Sequence, residues 1–193
     1  MLLFFDTETT GLPLWRDPSH DPRQPHLVQL AALLCEDDGT DVETLSTLVN
    51  PRPRVRFEPQ AVAAHGITPE KAAAEGCPPR EALDKFFGMV RRAGLIVGHN
   101  VSFDCRIVRI ATHRVYGRKW EPVVPTYCTM KSATSICCIP HAQPRHAQDW
   151  KRPRPAEAIR HFFGEDLEGA HDALVDVIAC RRIYFKLNER KAA

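Results

Sequence analysis

Leu2-Leu3-Phe4-Phe5-Asp6-Thr7-Glu8-Thr9-Thr10-Gly11-Leu12 is the stretch on which the fold turns. Its first four residues form a short, continuous apolar run, the pattern of a strand buried at the centre of a sheet. Two acids then follow at alternate positions. Strand side chains alternate, so Asp6 and Glu8 project to the same side at the end of that strand. Two carboxylates held together repel, and burying them is costly unless a cation neutralises them. Oxygen ligands of this kind suit Mg2+ or Mn2+, and Gly11 lets the backbone approach a ligand closely. Alone, the pattern is weak evidence. Two solvated acids at a strand end, with Thr9 or Thr10 in a turn, have the same spelling.

Working outward, Pro13 to Pro25 is proline-rich and poor in aliphatic residues, which makes it a long loop, functional or mobile. Leu27 to Cys35 reads as a second strand. Asp37-Asp38-Gly39 is a turn signal, and Val42 to Val49 alternates like a third strand, so these segments form a hairpin or meander. Pro51 to Pro59 reads as an exposed extended segment, with Arg52, Arg54 and Arg56 on a solvated edge. Pro79 to Arg92 then has helical spacing. Leu95-Ile96-Val97 is a short buried strand ending at Gly98. Ser102 to Val115 is helical, Val123 to Tyr127 is a candidate strand, and Pro140 to Pro155 is a second irregular, basic loop. Ala156 to Phe163 and Ala170 to Leu187 close the chain as helices. Three strands followed by strands alternating with helices predict a mixed sheet with helices packed on it, an α/β class.

The 193 residues fit one domain, 1–193, interrupted by loops at about 13–26 and 140–155. A formal net charge of +2 gives no global case for nucleic-acid binding, so any such case is local. The seven cysteines have no C-x-x-C pair and mostly apolar neighbours, so they read as small buried hydrophobes in a reducing compartment. The apolar start is stopped by Asp6, with no basic region before it, and no run approaches the ~20 apolar residues of a membrane span. The expectation is a soluble, cytoplasmic protein with no membrane partner.

Two further groups carry chemistry. His99-Asn100-Val101-Ser102-Phe103-Asp104 follows the strand Leu95 to Val97. Asn100 or Ser102 can cap the next helix, which puts Asp104 in its first turn. The helix dipole alone favours an acid there, and His99 reads as a hydrogen-bonded structural histidine. Ala170-His171-Asp172-Ala173-Leu174-Val175-Asp176 opens the last long helix, with Leu174, Val177 and Ile178 on its packing side. Five residues correspond to ~140° around a helix, so His171 and Asp176 are not expected to share a face. His171 is expected to be mobile at the helix start and Asp176 fixed one turn in. Taken singly, both read equally well as surface residues. Together the groups mean more, because α/β sheets build sites at strand ends and helix starts. Four acids could hold two hard cations, and a neutral imidazole, titrating near ~6.5, can take a proton from a water.

The three groups, in this order and at these separations, resemble the motifs of the DEDDh exonucleases, which include the proofreading epsilon subunit of bacterial DNA polymerase III. His65-Gly66-Ile67-Thr68 resembles a further segment typical of that family, and the likeness spans nearly the whole chain. It implies a ribonuclease H-like fold, a five-stranded mixed sheet flanked by helices. It implies that Asp6, Glu8, Asp104 and Asp176 bind two Mg2+ or Mn2+ ions and that His171 is the general base. Thr9, Gly11 and Leu12 would lie at the terminal nucleotide, with Leu12 wedged against its base, and His65, Asn100 and Phe103 would shape the pocket. The activity implied is 3′→5′ exonucleolytic hydrolysis releasing nucleoside 5′-monophosphates, on DNA ahead of RNA, with a place in replication or repair; an exoribonuclease of the ribonuclease T or oligoribonuclease type is the alternative.

There are departures. Cys128 stands near a position where many members carry Asp, which affects local capping and not metal binding. The Pro13 to Pro25 loop is longer than the family leads one to expect. The chain stops soon after its last helix, without the segment by which the epsilon subunit holds its polymerase, so no stable polymerase partner is expected; a homodimer is left open. Arg145, His146, Lys151, Arg152 and Arg154 surround Trp150, a stretch that tracks a phosphate backbone and stacks a base, or is a solvated loop. Two rivals remain. A phosphatase with an aspartyl nucleophile would need Asp at position 8 and leaves His171 and Asp176 unexplained. A catalytically dead nucleic-acid-binding module on the same fold would have lost one of the five site residues, and all are present.

Overall fold

The computed structural model describes residues 1–51 and 55–192. β1 (Leu2–Thr9), β2 (Leu27–Cys35) and β3 (Asp41–Leu48) form the antiparallel meander expected from the turn signal at Asp37 to Gly39. β4 (Leu95–Gly98) and β5 (Thr126–Cys128) add to the other side of β1 in parallel. The order is β3-β2-β1-β4-β5, a mixed five-stranded sheet with β1 at its centre. The pairing of β1 with β2 slips between Glu8 and Thr9, a bulge that re-aims the strand end.

Both faces of β1 are covered, which is why its sequence begins as an unbroken apolar run. Leu3 and Phe5 pack into one core with α3 (Pro79–Val90) and α4 (Val101–Tyr116). Leu2 and Phe4 pack on the opposite face against Ala173, Val177 and Cys180 of α7 (Ala173–Ala192). By the same alternation, Thr7 continues the α4 side, while Asp6 and Glu8 continue the α7 side. α5 (Thr129–Cys137) and α6 (Pro155–Phe163) complete the α7 layer.

Several expectations are corrected. α1 (Pro59–His65), α2 (Pro69–Glu75) and α5 are too short for their periodicity to stand out, and α1 and α2 each open on a proline, which is tolerated in a first turn. The candidate strand from Val123 shortens to β5, and Val123 is exposed. α7 begins at Ala173 instead of Ala170, because Gly169 and His171 hold φ values of +71° and +70°. Ile178 is partly exposed and not on the packing side. Arg52 and Arg54 lie outside the described residues; Arg56 is exposed, with its Nε 3.3 Å from Glu58. All seven cysteines are free; Cys35, Cys105, Cys137 and Cys180 are buried as expected, but Cys138 is exposed. Burial pushes the Cys35 thiol up to about 11 and Cys105 up to about 12, so neither is a nucleophile at neutral pH. Among the described residues, no helix is long and apolar enough to cross a membrane.

Candidate active site

The site is assembled at the carboxyl ends of β1 and β4, from both faces of the sheet. β4 ends at Gly98, and the chain turns through Asn100, in the left-handed region at φ 79°, into α4. Neither expected cap forms: the Asn100 side chain accepts from Ser102 Oγ at 3.3 Å instead of capping the helix. Asp104 falls in the first turn, as expected, and is buried. It is fixed from β1 by Thr7, whose backbone N–H and Oγ1 both donate to Asp104 Oδ1, at 3.1 and 2.8 Å. His99 is structural: one ring nitrogen lies 2.9 Å from Thr129 Oγ1 and the other 2.8 Å from the Pro153 carbonyl.

On the other face, Asp172 closes the start of α7 by accepting from Leu174 N–H and Val175 N–H, at 2.9 and 3.3 Å. Gln29 of β2 holds this turn. Its Nε2 donates to Asp172 Oδ2 at 3.2 Å, and its Oε1 accepts from Ala173 N–H at 3.3 Å. The backbone N–H of His171 donates to Asp176 Oδ2 at 3.1 Å. The expected separation of His171 from Asp176 is therefore overturned: His171 is not helical, so the ~140° rotation does not apply. Ligand atoms of Glu8, His171 and Asp176 lie within 4.8 Å of one another. Asp176 is buried, His171 is exposed, and Asp176 Oδ1 is buried without a hydrogen-bond partner among the described residues.

Electrostatics tie Asp6 and Asp104 to this group. Burial, then Asp104, Glu8 and Asp176, hold the Asp6 carboxyl well above the usual range. Burial, then Asp176 and Asp104, push Glu8 up to about 8. Burial also raises Asp104, against the two hydrogen bonds from Thr7, and raises Asp176, against the hydrogen bond and charge of His171. Four mutually raised carboxyls with an orphaned oxygen among them are a donor set that fits divalent cations with oxygen ligands.

Beside the acids lies a pocket of about 450 Å3, lined by Glu8, Thr9, Gly11, Leu12, His65 and Phe103, with Glu58 at its edge. A Cβ at Gly11 would come 2.9 Å from Glu58 Cγ, so any larger residue there would displace the Glu58 side chain. Thr9 Oγ1 donates to the Gly11 carbonyl at 2.6 Å. Ile67 N–H donates to His65 Nδ1 at 3.0 Å, so the Nε2–H of the neutral ring donates to the Thr9 carbonyl at 3.0 Å. Burial lowers the His65 pKa and favours this neutral form. His65 thus fixes the strand end. Asn100 does not line this pocket; it makes the turn. Leu12 is 81% exposed above it.

Thr7, Gln29 and Asp172 escaped the reading of the sequence. Thr7 had a signal, since alternation turns it away from Asp6 and Glu8 towards α4. Gln29 had one too, as the only polar residue within Leu27 to Cys35.

An exonuclease family model matches residues 3–184. The chain belongs to that exonuclease family. The chain is 31% identical over 132 residues to the PolC-type DNA polymerase III of Thermotoga petrophila, covering 66% of this chain but 8% of that protein. It is 28% identical over 186 residues to the DNA polymerase III subunit epsilon of Aquifex aeolicus, covering 95% of this chain and 78% of that subunit. E. coli Exonuclease I, solved with a dT13 oligonucleotide, superposes with a TM-score of 0.75 over 99% of this chain and 41% of that one, at 22% identity. The chain thus spans a small part of the PolC-type polymerases and under half of Exonuclease I. The mixed sheet and its helical layers are the ribonuclease H-like fold that the motifs implied.

Proposed function

We propose that this exonuclease removes nucleotides one at a time from the 3′ ends of single-stranded DNA, releasing nucleoside 5′-monophosphates. The observation that carries the reading is the convergence of four acids from three separate motifs around the orphaned Asp176 Oδ1, beside a pocket of nucleotide size. Asp6, Glu8, Asp104 and Asp176 would hold two divalent cations, Mg2+ or Mn2+. Bound there, the cations would supply the charge that activates a water and stabilises the leaving oxygen.

The chain's own groups do the rest. The pocket lined by Leu12 and Phe103 takes the terminal base, while the Thr9 to Gly11 backbone, braced by His65, faces its sugar. His171, exposed at the mouth and tied by its backbone to Asp176, accepts the proton of the attacking water.

Digestion of 5′-labelled DNA and RNA oligomers of equal sequence tests this, with Mg2+, Mn2+ or EDTA. The expected result is a metal-dependent ladder shortening from the 3′ end, faster on DNA, and absent in Asp6→Ala. His171→Ala should slow it about 10²- to 10⁴-fold while leaving metal binding intact. A faster ladder on RNA would move the substrate to the exoribonuclease side. No cleavage with any metal would overturn the reading in favour of a binding module.

A further inference from the structure

The Pro13 to Pro25 loop is a built platform. Gln24, 2% exposed, accepts from Leu14 N–H at 3.0 Å, and its amide donates to the carbonyls of Leu14 at 3.0 Å and Pro18 at 3.1 Å. From α4, Arg106 donates to Ser19 Oγ at 2.8 Å, to the Leu14 carbonyl at 3.3 Å and to the Asp17 carbonyl. Arg114, two turns on, donates to the carbonyls of Pro22, Gln24 and Pro25. All but the exposed Arg114–Pro22 contact are half-buried, and they fix a loop whose prolines already limit its freedom.

This fixed loop presents Trp15 at 58% exposure, three residues beyond Leu12. Trp pairs a large apolar ring with a polar N–H, the combination enriched at binding surfaces. Trp15 borders a groove of about 540 Å3 whose wall includes Ser102, Arg109, Tyr127, Lys131 and Ser132, and none of its lining residues is acidic. Arg109 is engaged with Glu121, whereas Lys131 is exposed and has no ion-pair partner among the described residues. Groove and nucleotide pocket draw on neighbouring stretches of chain: Ser102 of the groove precedes Phe103 of the pocket wall, and Trp15 lies three residues beyond Leu12.

We propose that Trp15 is a stacking platform for a base upstream of the two nucleotides that flank the scissile bond, and that Lys131 contacts the phosphate backbone beside it. The occupant is a single strand of nucleic acid. Its charge matches a groove with a free ammonium and no acid, and its path continues from the pocket that takes its 3′ end. A stacked indole reads no sequence, since every base offers a π face, which suits an enzyme that must accept each base in turn. The inference rests on the exonuclease reading above.

The test compares kcat/KM on single-stranded oligomers of increasing length, from a dinucleotide to a dodecamer, for the wild type, Trp15→Ala, Trp15→Leu and Trp15→Phe. Wild-type cleavage of any of these is the check on the exonuclease reading, independent of the variants. Trp15→Ala and Trp15→Leu should lower the preference for long over short substrates about 5- to 150-fold, and Trp15→Phe should restore most of it. The length at which the loss appears identifies the stacked nucleotide. Lys131→Gln should reduce the salt dependence of binding to the dodecamer, measured in EDTA, by about 0.7 in log K against log salt. An unchanged length preference would overturn the proposal. So would an equal loss on the dinucleotide, which would put Trp15 at the two nucleotides flanking the scissile bond. A Trp15→Ala variant that changes oligomeric state with no change in length preference would assign the surface to a second copy of the chain.

Discussion

Glu8 sits half-buried beside Asp6, Asp104 and Asp176, and its carboxyl is pushed up to about 8 by burial and by Asp176, Asp104 and Asp172. Ionising it in the metal-free protein therefore costs folding free energy. Glu8→Gln keeps the shape and removes that cost. The variant should melt higher than the metal-free wild type at pH 8 and equally at pH 4, where Glu8 is protonated in both folded and unfolded chains. It should also lose nucleotide release, because the amide is a poor ligand for a hard cation. Thermal melts with EDTA at the two pH values decide this, and a Glu8→Gln variant that is less stable at pH 8 would refute the electrostatic account. The same physics explains Thr7, whose two donors hold Asp104 in place against repulsion.

At the scale of elements, the decisive joint is between β2 and the start of α7. Gln29 is 6% exposed and bridges the Asp172 carboxylate and the Ala173 N–H, so one amide fixes the turn that carries His171 to Asp176. Gln29→Leu fills the same space but leaves a buried N–H unpaired and frees Asp172. It should destabilise the fold by about 1–3 kcal/mol in urea unfolding. It should also lower kcat more than KM, since the proposed base and one proposed ligand would be misplaced while the nucleotide pocket is untouched. A loss of stability with kcat intact would mean that the bridge serves the fold alone.

For the whole molecule, the raised carboxyls set a dependence on pH. An acid whose folded pKa lies above its unfolded value stabilises the protein below the unfolded pKa, and this is lost as pH rises through the folded one. For Glu8 that window runs from 4.5 to about 8, and Asp6 and Asp104 shift in the same direction. The metal-free protein should therefore lose stability steadily from about pH 4.5 to 8. Mn2+ or Mg2+ should reverse the loss, raising the melting temperature more at pH 8 than at pH 5, because protons compete for the same oxygens. An equal rise at both pH values would place the metal away from these acids.

Much was legible in the order of residues. The apolar run before Asp6 marks a central strand, β2 is bounded where its apolar stretch is bounded, and the acids stand at strand and helix ends because local patterns are set by residues a few positions apart. The sequence also named the acids and the histidine. What it left dark is what distance in the chain hides. Thr7 meets Asp104 across 97 positions and Gln29 meets Asp172 across 143, and no period or motif encodes such pairs. The left-handed turn at His171 defeated a helical reading because a backbone angle, not a side-chain pattern, decides it. The proline-rich loop reads in sequence as functional or mobile; only the tertiary structure, through Arg106 and Arg114 from a distant helix, makes it a fixed platform for Trp15.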